Sequence, residues 1–184
     1  MPSFDTWKFE DAEMLVLLQQ MFIDLDLTFT FAIKTETLQQ YLFEVYSNYN
    51  DVPFHNFKHA FTVTQMVVFI LLFDYINKHL NLNHIFANKM YGIIWLTKLT
   101  NYFEPLEILA LLVSAISHDL DHDGYNNSFQ INAGTHLALI YNDYSPLEMY
   151  HCAVGFSILN KPNCNILSSL DRASYRKFRE YMIQ

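Results

Sequence analysis

The apolar residues of this chain recur at helical spacing, and no stretch alternates as a half-buried strand would. Met14, Leu17, Leu18, Met21 and Leu25 make one stripe, and Leu38, Leu42 and Val45 make another. Spacings of three and four place such side chains on one face of an α-helix. Pro53 interrupts the pattern, and a third helical run is expected over residues 55–75. Residues 77–83 are polar and read as a turn, before a fourth run over 85–99. Pro105 suits the first turn of a fifth run, over residues 105–117. Asp123 and Gly124 form a stop signal. A sixth run is expected over 129–141, and a seventh opens at Ser145-Pro146 and reaches Leu159. An eighth begins near Asp171 and is still helical at Gln184. The expected fold is all-α, many medium helices around buried aromatics, with Phe54, Phe57 and Phe61 read as core. Tyr175, Phe178 and Met182 form a last stripe. It either packs back on earlier helices or belongs to a larger helical domain of which this is a fragment.

Composition narrows the function classes. The 184 residues suit one domain, and 16 Phe and 12 Tyr against 4 Gly and 5 Pro exclude disorder for most of it. A net charge of -8 offers no basic face for a phosphate backbone, so no nucleic-acid partner is expected. Cys152 and Cys164 are too few for a disulfide framework and fit a reducing, cytoplasmic compartment. The acidic N-terminus, with Asp5, Glu10 and Asp11, is no signal peptide. The longest apolar run, residues 66–73, falls short of the roughly 20 residues of a membrane-spanning helix. A membrane anchor on a longer parent chain is left open.

Two histidine pairs carry the chemistry. His55 and His59 are four apart, as are His118 and His122, with Asp119 beside the first of the second pair. Four-residue spacing on a helix gives a shared face, and imidazole with carboxylate suits zinc and similar divalent ions. Asn56 stands where a metalloprotease H-E-x-x-H would need Glu, so that reading falls away. Adjacent residues on a helix diverge, so one ion between His118 and Asp119 needs a helix end or a facing helix. Asp121 is read as solvated or as lying just behind the ligands. His79 and His84 are read as solvated, and His136 as structural or surface.

Together these residues resemble the class I cyclic-nucleotide phosphodiesterase catalytic domain. The matching segments are Pro53-Phe-His-Asn-Phe-Lys-His-Ala60, Ile116-Ser-His-Asp-Leu-Asp-His122, Gly124-Tyr-Asn-Asn127, Gln130-Ile-Asn132, Tyr141-Asn-Asp143, Ser145-Pro-Leu-Glu148 and His151-Cys-Ala-Val154. The wording is most similar to the type 9, cGMP-selective subfamily, and Phe4-Asp5, Trp7 and Glu13-Met-Leu15 fit it too. The resemblance implies an all-helical, HD-type domain with two divalent ions, zinc plus magnesium or manganese. It implies hydrolysis of a 3′,5′-cyclic nucleotide, cGMP before cAMP, to the 5′-monophosphate. His59, His118 and Asp119 would then be metal ligands and His55 the general acid. His55, Asn56, His59 and Asp119 would line the substrate site, with His122 just behind the ligands. A homodimer is left open.

Glu148 has two readings. It is the third residue of a capping box begun by Ser145, or, by the resemblance, it accepts a hydrogen bond from His55 and keeps that imidazole protonated. His151 either lies behind the ligands or is a packed helix histidine. The chain departs from the family at Met149-Tyr150, where Asn-His is usual, and at Asp123, where Pro is usual. Extra chain over about residues 67–89 is expected to form an added helical hairpin. The family's last metal-ligand Asp, purine-binding Gln and base-stacking Phe fall beyond Gln184. Residues 4–184 are therefore expected to be the N-terminal portion of such a domain. Its activity stands against two alternatives, a broader His-Asp phosphohydrolase and a truncated pseudoenzyme acting as a regulatory partner.

Overall fold

Helix starts are set by local chemistry. The computed structural model of the chain describes residues 8–80 and 103–183, and for 69–80 the backbone alone. Helix α1 (Asp11–Asp24) begins with Glu13 reaching back to the Glu10 amide at 2.9 Å. This back-bond occupies a donor that no helical carbonyl can reach. A single turn, α2 (Leu27–Thr30), and α3 (Thr35–Ser47) follow. The expected stripes point inward: Met14, Leu18, Met21, Leu38, Leu42 and Val45 are buried, with Leu17 and Leu25 packed at the edge.

Helix α4 (Phe57–Leu80) is longer than its sequence pattern suggests. It starts two residues after His55 and runs past Tyr75, so residues 77–80, expected as part of a turn, are helical. The rest of the expected hairpin and the expected run over 85–99 lie outside the described residues. Phe57 and Phe61 are buried as expected, but Phe54 is 64% exposed and is not core.

Helix α5 (Pro105–Ser117) spans the range that Pro105 and the apolar run predict. Glu107 bonds back to the Glu104 amide at 2.8 Å, and Pro105 takes the first turn, where no amide is needed. Seven of its residues, among them Leu109, Leu112, Val113 and Ile116, are buried. A helix apolar on most sides belongs at the centre, and α5 packs against α2, α4 and the last two helices described below.

The expected sixth run is split into α6 (Asn127–Asn132) and α7 (His136–Tyr141). Gly134 between them takes φ +59, a left-handed value at which a helix ends, and the Thr135 side chain caps α7. Helix α8 (Pro146–Leu159) lies across α3, α5, α6 and α7. Gly155 faces α5 at this contact, and a β-carbon there would lie at an ordinary 3.5 Å from Ser117 Cβ. Helix α9 (Arg172–Ile183) buries Phe178 and packs on α5 and α8, so the last stripe does fold back on earlier helices. The described residues contain no strand, which bears out the all-α reading. No described helix is long and apolar enough to cross a membrane.

Candidate metal centre

Neither histidine pair shares a helix face. His55 lies in the bend before α4, while His59 is in its first turn. Helix α5 ends at Ser117, with His118 as its C-cap and Asp119 just beyond. The chain then turns tightly: the His122 amide bonds to the Asp119 carbonyl at 3.2 Å, and Asp121 takes φ +55. The expected four-residue geometry is thus replaced by two helix ends facing each other. The contact of α4 with α5 brings them together.

The side chains that converge are His55, His59, His118 and Asp119. One carboxylate oxygen, Asp119 Oδ2, lies 2.8 Å from His55 Nδ1, 3.4 Å from His59 Nε2 and 3.0 Å from His118 Nε2. His59 Nε2 and His118 Nε2 are 3.3 Å apart. His118 places its other ring nitrogen 2.9 Å from the Ala115 carbonyl, a bond that needs a proton on Nδ1; in the neutral ring Nε2 is then a lone pair, and in the protonated ring it donates to Asp119.

Three electron-rich atoms this close repel one another unless a cation or proton lies among them. Bonds of about 2.0–2.1 Å in a tetrahedral shell put neighbouring donors about 3.3 Å apart. The three separations among His59, His118 and Asp119, 3.0 to 3.4 Å, fit such a shell. His55, Asp119 and His122 also have donor atoms close together. The rings of His55 and His122, however, are stacked, with centroids 4.0 Å apart and planes 16° apart. In-plane lone pairs on stacked rings run side by side and do not meet on one ion. The first trio is the set that could hold a metal.

Charge follows the same geometry. Burial works against an ionised Asp119, but hydrogen bonds from His118 and His55 outweigh it and hold the carboxyl far below its ordinary range. Burial also opposes charge on His118, and its bonds to Asp119 and the Ala115 carbonyl reverse the sign, raising it. His59 and His122 are lowered, chiefly by burial.

Other expected residues fall elsewhere. Ser145 makes no side-chain cap, so the Ser145–Glu148 capping box does not form. Both carboxylate oxygens of Glu148 instead accept from Asn127 Nδ2, at 2.9 and 3.2 Å, while Asn127 Oδ1 accepts the Leu147 amide. The start of α8 is capped from α6, and His55 Nδ1 lies on Asp119 rather than on Glu148. Asn56 bonds to backbone, accepting from the His59 amide at 3.1 Å and donating to the Val52 carbonyl. It caps α4 and thereby orients His59. His151 is buried, its Nδ1 on the Leu120 carbonyl and its ring stacked 5.3 Å from that of His122. Asp121 is half-buried and takes hydrogen bonds from Asn50 and Tyr150.

Two contributors escape sequence reading. Tyr49 donates to the Ile116 carbonyl at 2.8 Å and accepts from the Asp119 amide at 3.4 Å, bracing the end of α5 from behind. Phe54 stands over both histidines of its segment, with ring centroids 5.0 Å from His55 and 4.8 Å from His59. Its place beside His55 was the available signal.

The profile of the 3′5′-cyclic nucleotide phosphodiesterase family matches residues 54–184. The chain is 44% identical over 182 residues to the mouse high affinity cGMP-specific 3′,5′-cyclic phosphodiesterase 9A, covering 99% of this chain and 30% of that protein. It is 43% identical over 184 residues to the Drosophila melanogaster protein of the same name, covering all of this chain and 11% of that one. Among solved structures, the phosphodiesterase domain of a rhodopsin phosphodiesterase fusion from the choanoflagellate Salpingoeca rosetta matches with a TM-score of 0.80 and 31% identity. That match covers 98% of this chain and 49% of the other. The chain thus spans under a third of the curated relatives it matches and about half of the solved domain. Since that profile matches more than half of its length, the chain belongs to the 3′5′-cyclic nucleotide phosphodiesterase family.

Proposed function

We propose that this chain carries the metal-binding and proton-donating part of a site that hydrolyses a 3′,5′-cyclic nucleotide, cGMP before cAMP, to the 5′-monophosphate. The observation that supports it most is the convergence of His59, His118 and Asp119 at donor separations suited to one divalent ion, with His55 on the same carboxylate. The preference for cGMP rests on the names of the mouse and fly relatives. We assign the ions as zinc with magnesium or manganese, which when bound offset charge on the phosphate oxygens and make water a stronger acid. Two free cysteines suit a cytoplasmic setting.

The chain's own groups divide the work. His59 and His118 present neutral nitrogens, and Asp119 is ionised at any physiological pH. His55, anchored through Nδ1 to Asp119, gives a proton from Nε2 to the 3′ oxygen as the P–O3′ bond breaks; the oxygen of water joins phosphorus, and the proton that water loses passes to solvent, from which His55 is reprotonated. Phe54 lies against both imidazoles of its segment and bounds this part of the site.

The test pairs zinc content with hydrolysis of cGMP and cAMP by the purified chain. His55→Ala should keep the metal and lose about 10²–10⁴-fold in turnover. His118→Ala should lose both. Zinc uptake that survives His118→Ala, or turnover that His55→Ala leaves unchanged, overturns this assignment of roles.

A further inference from the structure

The turn that carries Asp119 is fastened by residues outside the ligand set. Asp121 takes φ +55, a left-handed value that Asn and Asp tolerate better than most residues. Its amide donates to the Asn48 carbonyl at 2.8 Å. One carboxylate oxygen accepts Asn50 Nδ2 at 2.9 Å, and the other accepts the Tyr150 hydroxyl. Asn50 Nδ2 also reaches the His122 carbonyl at 3.0 Å. A single side chain therefore ties the turn over residues 48–50, the turn over 119–123 and helix α8 together.

The bond to Asp121 pushes the Tyr150 phenol up to about 12, so the hydroxyl stays a donor across the neutral range. Beside it on α8, His151 holds the Leu120 carbonyl. Helix α8 thus grips residues 120 and 121, and Asp119 is the next residue back along the chain. Small displacements of a ligand weaken a metal centre, which is why the groups that orient ligands matter nearly as much as the ligands.

We propose that Tyr150, acting through Asp121, is a positioning residue that sets the Asp119 carboxylate against His59 and His118. The proposal rests on reading those three as the ligands of a cation. Without the hydroxyl, one oxygen of Asp121 loses its donor, the left-handed turn loosens, and Asp119 leaves its place in the shell.

Two variants of the full chain, Tyr150→Phe and Asp121→Asn, test this. The second keeps left-handed tolerance and one accepting oxygen, and serves if the first does not fold. Zinc affinity is measured by competition with a chelator, and amide exchange is followed in the metal-free protein. Tyr150→Phe should weaken zinc binding by about tenfold, with Asp121→Asn in the same direction. The Asp121 amide should exchange faster in both variants, while that of Leu112 in α5 stays as in the wild type. A lower melting temperature with unchanged zinc affinity and unchanged Asp121 exchange would mean that Tyr150 only packs, and would overturn the proposal. A wild type that takes up no zinc defeats the ligand reading instead. The exchange data then still decide whether Tyr150 fixes the turn.

Discussion

At the level of single residues, the centre depends on groups that never touch a ligand atom. Tyr49 is partly buried behind Asp119, and the loss of water around it holds its phenol well above the ordinary range, so it acts as a neutral hydroxyl. Tyr49→Phe leaves the Ile116 carbonyl without its donor, and an unpaired buried group costs about 1–3 kcal/mol. Urea unfolding should show a loss in that range, and zinc affinity should fall because the Asp119 amide loses its acceptor. His151 makes a second case. Burial lowers its pKa, so the folded chain resists a proton that the unfolded chain accepts below about pH 6.5. The unfolded state then binds more protons, and stability drops as pH falls from about 6.5 towards the folded pKa, having been fully present above it. His151→Gln should flatten that dependence, seen as a smaller change in urea midpoint between pH 7.5 and pH 5.5 than in the wild type.

Among the helices, the close approach of α8 to α5 sets where the end of α5 lies, and Gly155 is the residue at the contact. A β-carbon there would meet Ser117 at 3.5 Å and Leu120 at 3.7 Å, ordinary contact distances, and the backbone is helical. Gly155→Ala should therefore stabilise the chain by about 0.5–1 kcal/mol, the usual helix preference, and leave zinc binding unchanged. A destabilised variant would mean that the two helices cannot yield even a few tenths of an ångström. Helices such as α5 and α8 were legible in the sequence because Pro105 and Pro146 mark their starts and the apolar runs their lengths. The break between α6 and α7 was less so, because a continuous apolar pattern crosses Gly134 and only the left-handed backbone there shows the stop. Residue type and spacing offered the two histidine pairs and Asp119, and the family resemblance narrowed them to His59, His118 and Asp119. Its geometry could not, since it depends on α4 beginning after His55 and α5 ending before His118. Asn127 was invisible in its role, because the helix it caps begins nineteen residues later in the chain. The same holds for Asp121, whose partners Asn50 and Tyr150 come from two distant segments.

For the molecule as a whole, the centre is a clamp between parts of the fold distant in sequence. His55 and His59 come from the start of α4, and His118 and Asp119 from the end of α5. An ion held there joins the two helices in the folded state and finds no such arrangement in the unfolded one. Binding to the native state alone adds about 2.7 kcal/mol when free zinc is a hundredfold above its dissociation constant. For a chain of this size, roughly 2–4 °C of melting temperature accompanies each kcal/mol, so zinc should raise the midpoint by about 5–10 °C and a strong chelator should reverse the rise. Some zinc will bind unfolded histidines, which trims the shift without changing its sign. The variants sort the contributions. His118→Ala removes a ligand and should abolish the zinc-dependent shift. His55→Ala removes the proton donor outside the trio and should keep most of it. A shift that survives His118→Ala would place the ion elsewhere in the molecule. One lost in His55→Ala would make His55 a ligand rather than an acid. Thermal melts of the three proteins, with and without zinc, therefore assign His118 and His55 without any turnover being measured.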